Sequence, residues 1–163
     1  MEHHAASSAA GFSNVYAQAR LALYNIGGIP DSYFDGVTNV LGGSTGTYNT
    51  FLSKYNQRIA VPSDFNVSLN GMNEGLDYTV IISMENVEPN FGTNFVAHLA
   101  LTESDVMYGS TPFHYVTRRL WPDAGGTPVD FSGDPNQSVM LQFTMESTWN
   151  LDNCEFIGFI QDM

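Results

Sequence analysis

The apolar residues of this chain change period once, and the change divides it in two. Tyr48, Phe51, Leu52, Tyr55 and Ile59 recur at helical spacing, the most regular such stripe in the sequence. After Val61-Pro62 the period becomes two. Phe65, Val67 and Leu69 alternate with Asn66, Ser68 and Asn70, and Tyr78, Val80, Ile82 and Met84 with Thr79, Ile81 and Ser83. Faces alternate residue by residue in a strand but recur every third or fourth residue in a helix, so one stretch cannot serve both. The expectation is an α+β chain, with residues 1–60 forming a helix, hairpin and helix, and residues 61–163 an antiparallel, Ig-like β-sandwich.

Within the first part, residues 12–25 carry good helix formers and stop at Gly27-Gly28. Phe12, Val15, Tyr16, Ala19 and Leu23 give a candidate buried stripe, and Arg20 lies in the C-terminal half, where a cation suits the helix dipole. Asp35-Gly36 is a strong hairpin signal between residues 31–34 and 37–41. Thr45 or Thr47 can cap the second helix. In the second part further strands are expected around Phe95 to Leu101, His114 to Trp121, Val129 to Phe131, Val139 to Met145 and Cys154 to Ile160. Turn signals separate them: Asn70-Gly71, Glu74-Gly75, Pro89-Asn90, Tyr108-Gly109, Gly125-Gly126 and Gly133-Asp134-Pro135.

Composition removes several functions. The 163 residues carry 5 basic and 17 acidic side chains, a net charge of −12, and scattered cations of that number cannot neutralise a phosphate backbone, so no nucleic acid partner is expected. No run reaches the roughly 18 apolar residues of a membrane span. The first ten residues lack the basic and apolar regions of a signal peptide. A surface rich in Asn, Ser, Thr, Gly and Tyr, with Lys54 its only lysine, nevertheless fits a secreted, extracellular or cell-surface protein.

The run Leu23-Tyr24-Asn25-Ile26-Gly27-Gly28-Ile29-Pro30-Asp31-Ser32-Tyr33-Phe34-Asp35-Gly36 resembles the second half of a thioredoxin fold, in which a helix leads through Gly-Ile-Pro to a hairpin and a last helix. With His114 to Gly126 and Asn153 to Gln161, it resembles bacterial secreted and outer-membrane proteins that join a thioredoxin-like domain to a C-terminal β-sandwich. The resemblance covers residues ~12 to 163 and implies a cis peptide at Pro30. It also implies a first βαβ half carrying a Cys-x-x-Cys, and this chain has neither. Its one cysteine, Cys154, lies in an apolar strand, so thiol-disulfide exchange has no nucleophile pair here.

Other chemistry fares no better. His3, His4, His98 and His114 form no zinc-binding spacing, though His98 and His114 could face each other on neighbouring strands. Gly42-Gly43-Ser44-Thr45-Gly46 matches a nucleophile elbow in letters, but follows a hairpin strand rather than a parallel one. Glu103-Ser104-Asp105 and Asp152-Asn153-Cys154-Glu155 could bind calcium through loop oxygens or simply be solvated. Trp121 and Trp149 could form a sugar platform or sit in the core. No catalytic residue, metal or cofactor is expected, and no enzymatic activity.

Self-association is the expected function. A two-stranded hairpin with two helices leaves strand edges unpaired and a sheet face half covered. The last strand is apolar on both faces, Phe156 and Ile160 on one and Ile157 and Phe159 on the other, so its outer face packs against either the helical part or another subunit. Phe34, Val40, Phe156, Ile157, Phe159 and Ile160 are the candidate assembly contacts, with residues 1–11 or the 31–41 hairpin as the element that crosses between subunits. Arg118 and Arg119, on opposite faces of one strand, are each expected to pair with a carboxylate. Asn66-Val67-Ser68 and Asn136-Gln137-Ser138 are sequons for an attached glycan. The reading is a fibre or surface-layer subunit; the alternative is the C-terminal portion of a secreted thioredoxin-like thiol-disulfide or cargo-binding protein.

Overall fold

A computed structural model describes residues 1–5, 11–88 and 94–163. The Pro89-Asn90 turn signal and part of the 1–11 segment lie outside the described residues. Asn14 opens helix α1 (Val15–Leu23) by accepting the Ala17 amide at 2.9 Å, and its own amide group donates to the Thr117 carbonyl at 2.7 Å. Strands β1 (Asp31–Phe34) and β2 (Thr38–Leu41) form the expected hairpin. Asp35 and Gly36 both take positive φ, 50° and 68°, which matches the right-handed twist of the strands they join. The Ile29–Pro30 and Trp121–Pro122 peptides are cis. A short 3₁₀ turn then leads into α2 (Tyr48–Ile59).

The second part is a two-layer antiparallel sandwich. Strands β3 (Phe65–Glu74), β4 (Asp77–Asn86) and β10 (Asn136–Thr144) make one sheet in the order β10-β4-β3. The other has the order β11-β5-β8, from β5 (Phe95–Glu103), β8 (Val116–Trp121) and β11 (Cys154–Asp162), with β9 (Thr127–Val129) also pairing with β5. A small hairpin, β6 (Val106–Tyr108) and β7 (Thr111–Phe113), stands apart. Between the sheets Val80, Ile82 and Met84 meet Ala97, Leu99, Leu101, Trp121 and Phe131. Trp121 stacks on Phe143 with 4.0 Å between ring centroids, so this tryptophan is core and not a sugar platform.

Three expectations need correction. Asn70-Gly71 is not a turn: β3 runs through it and the chain reverses at Gly75, whose φ is +60°. Gly71 serves pairing instead, since a Cβ there would come within 3.1 Å of the Thr79 carbonyl oxygen. Helix α1 buries Ala17 and Arg20, while Val15 and Leu23 are exposed, so the stripe read from the apolar residues is rotated. His114 is exposed beside Asp105 at 3.4 Å, whereas His98 is buried on β5; the two histidines do not face each other.

The outer face of the four-stranded sheet holds a second, thinner buried layer. His98, Ala100 and Thr102 of β5, Leu120 of β8 and Ala17 of α1 are all buried there. The N-terminal segment completes its margin: the Glu2 amide donates to the Tyr115 carbonyl at 2.7 Å, and Thr117 donates to the Glu2 carbonyl at 2.9 Å, a parallel bridge to β8. His4 is buried in an edge-on cluster with Phe12 and Phe113.

Candidate assembly surfaces

The helix–hairpin–helix part buries very little. Phe34 lies 6.3 Å from Phe51 between ring centroids, Arg58 Nε donates to Asp35 at 3.0 Å, and Val40 is buried beneath them. Helix α2 has no fully buried residue. Of the stripe its sequence displays, only Phe51 turns towards the hairpin. Tyr48, Leu52, Tyr55 and Ile59 are exposed, with Ile59 at 64%. Val37 and Leu41 of the hairpin and Ile29 before it are exposed as well. Strand β1 pairs only with β2, so its other edge presents free amides and carbonyls among the described residues.

The sandwich has a second unfinished margin. Both sheets end on the same flank, in β3 and β11, and Leu69 of β3 lies over Gly158 of β11 so closely that a Cβ there would sit 2.6 Å from it. Val67 and Leu69 point inward from β3 yet stay more than a third exposed. Two edges of ten and nine residues thus run side by side with an apolar seam between them.

The candidate contacts fall into different places. Phe156 and Ile160 pack on the main core, and Val40 is buried, so the structure assigns all three to the chain's own interior. Phe159 lies on the outer face of β11 under His98, stacked at 4.9 Å, with the Arg20 guanidinium 5.5 Å from its ring. The doubly apolar last strand is therefore covered on its outer side by α1 of the same chain. Ile157 is half-buried on that face, and Phe34 is half-buried against α2. Sequence reasoning missed α2 as the exposed element, because a regular apolar stripe reads as a buried one.

The sequon asparagines, seventy positions apart in the chain, come into register on the outer face of the three-stranded sheet. Asn66 and Asn136 both pair with Glu85 from opposite sides, and the Asn66 amide donates to the Glu85 carboxylate at 3.0 Å. Both asparagines are exposed, as are the serines that complete the sequons.

Reactive groups do not converge. Burial pushes the Cys154 thiol up to about 11, reinforced by the nearby Glu103 carboxylate, so little thiolate forms at neutral pH. Glu103 itself is buried, accepting Arg118 Nε at 2.7 Å and the Asn150 amide at 2.9 Å. Arg119 has no carboxylate partner among the described residues; it lies 5.4 Å from the Trp121 ring. No group of three or more His, Cys, Asp or Glu among the described residues could hold a metal ion. No described helix is long and apolar enough to cross a membrane.

No family model matches the chain, and no curated protein matches it in sequence. Among solved structures it is similar to HBP35 of Porphyromonas gingivalis, with a TM-score of 0.69 at 12% identity over 88% of this chain. At that identity the likeness is one of fold. The chain spans about half of that protein, 51% of its length.

Proposed function

We propose that this protein is a non-enzymatic structural subunit that acts outside the cell by associating with further copies of itself. The observation that carries this reading is the outward-facing stripe of α2, Tyr48, Leu52, Tyr55 and Ile59, beside the unpaired edge of β1. Covering such half-exposed side chains is worth about 1 kcal/mol each, near half the value for complete burial. A strand laid along β1, β3 or β11 would satisfy their free backbone groups, which is how an extended segment adds to a sheet edge. Because these surfaces differ from one another, contact between unlike patches generates an open chain of subunits rather than a closed dimer. The charge of −12 opposes association, so salt should promote it by screening. Glycans at Asn66 and Asn136 would occupy the outer face of the three-stranded sheet and leave α2 and the β1 edge unmodified.

The test is a concentration series of the full chain followed by light scattering and electron microscopy, alongside Leu52→Glu and Ile59→Glu. Growth of large species that either substitution abolishes supports the reading. A chain that stays monomeric at the highest concentration overturns it.

A second reading rests on the 51% coverage of HBP35 together with the resemblance of residues 23–36 to the second half of a thioredoxin fold. The same α2 face and β1 edge are what further residues of a longer thioredoxin-like protein would cover, with exchange or cargo binding residing in the whole. Mass spectrometry of the native protein separates the two. A mass well above that of 163 residues favours the second.

A further inference from the structure

Arg20 is the least expected buried group among the described residues, only 5% exposed with none of their carboxylates within ion-pair distance. Its guanidinium donates to neutral partners alone, Gln161 of β11 at 2.5 Å and the Tyr24 hydroxyl at 2.7 Å, and its Nε has no partner. Two imidazoles adjoin it, His98 within the layer and the partly exposed His3 in the N-terminal segment at its margin. His98 is 1% exposed, neither ring nitrogen has a partner among the described residues, and the ring is clamped between Phe159 and the backbone of Gly126. A Cβ on Gly126 would lie 2.7 Å from the imidazole. The Nδ1 atom of His3 is likewise buried without a partner. An unpaired buried cation is costly, and a second beside it costs more, because neither has water or an anion to offset it. The layer is tenable only while its imidazoles are neutral.

We propose that the seam between the outer face of the four-stranded sheet and α1 with the N-terminal segment is a proton-operated latch. It is closed while His3 and His98 are neutral and is driven open, with the sandwich intact, when they gain protons beside Arg20. The charged neighbours act in both directions. Arg20 on α1 repels a proton at either histidine; the terminal amine of Met1 and His4 also oppose one at His3. Asp123, in the turn after β8, favours one at His98, but less than burial and Arg20 disfavour it. Glu2 lies 3.3 Å from His4, not from the two latch imidazoles. Burial and these charges hold both imidazoles at about 4, against 6.5 when free. The sandwich core between the sheets contains no histidine, so the same protons have no direct effect there. Opening would bare Phe159, Ala100 and Leu120, an apolar sheet face.

Amide hydrogen exchange of the full chain between pH 7 and pH 4, corrected for intrinsic exchange rates, tests the latch. The expected result is that α1 amides lose protection roughly tenfold per pH unit for each histidine below 6.5, while β4 and β10 amides keep theirs. His98→Gln and His3→Gln each remove part of that pH dependence, and the double variant removes most of it. Loss of protection in α1 and the sandwich together overturns the proposal, as does a pH dependence unchanged in the variants. Should His98→Gln fail to fold, His3→Gln alone still decides, because its slope must be shallower than that of the parent chain. The outcome is independent of self-association, which the concentration series reads separately.

Discussion

The sandwich and the helix–hairpin–helix part show opposite relations between pattern and burial. In the sandwich, inward residues such as Ile82, Leu99 and Leu101 are wholly buried because two sheets face each other. In α2 an equally regular pattern faces outward, because among the described residues this part has one hairpin layer and one helix on it and no second layer beyond. Helix α1 is intermediate: it belongs to the first part by sequence but contacts β8 and serves the second by packing. A hydrophobic period therefore says that a face needs covering. It does not say that the same chain supplies the cover.

This contrast can be broken by substitution. Phe131→Ala, at a side chain with no exposure, is expected to cost about 3–5 kcal/mol in chemical denaturation, whereas Leu52→Ala in α2 should cost under about 1 kcal/mol in dilute protein. Equal losses would mean that α2 is covered within the monomer. Acidification comes next. Because both latch imidazoles are held below their free value, their contribution is fully present above pH 6.5. It is lost as pH falls towards 4, by about 1.4 kcal/mol per unit for each group taking up a proton. Unfolding followed by α1 helicity at several pH values checks the direction.

Asn14→Ala removes both the cap of α1 and its bond to Thr117, and is expected to loosen the seam by about 1–2 kcal/mol without altering the Trp121 environment. Near-ultraviolet circular dichroism beside exchange data distinguishes the two regions. Gly158→Ala should cost about 1 kcal/mol through its approach to Leu69, and Leu69→Ala in the same chain should recover part of it. Failure to recover would show that β3 and β11 are not held in contact there. The smallest effect belongs to Asp35→Asn, which weakens an exposed ion pair to Arg58 by at most about 0.5 kcal/mol.

Much of the architecture was legible in the residues. The Asp35-Gly36 turn, the helix over residues 48–59 and the switch to strand period after Pro62 all appear where local patterns put them, since each is decided by short-range sterics or periodicity. Three features were not. The Asn70-Gly71 pair carries a strong turn signal, yet ten residues of pairing with β4 outweigh it. Arg20 read only as a cation suited to the helix dipole; tertiary packing brings Gln161 to it, beside Tyr24 one turn further along the same helix. The outward face of α2 was invisible because its pattern is indistinguishable from that of a core helix, and what differs is the absence of a facing layer among the described residues.

The bridge between Glu2 and Val116 has a mechanical meaning. Glu2 and Asp162 of β11 lie at opposite margins of one sheet, with β8 and β5 between them. Glu2 is level with Glu103 at one end of β5 and Asp162 with Phe95 at the other, so tension between them acts largely along the strands and shears the ladders. The first element to yield is the two-bond attachment at Glu2, a short fuse ahead of the long β5–β11 ladder. Under load such a subunit would lengthen by releasing its N-terminal segment while the sandwich stays shut.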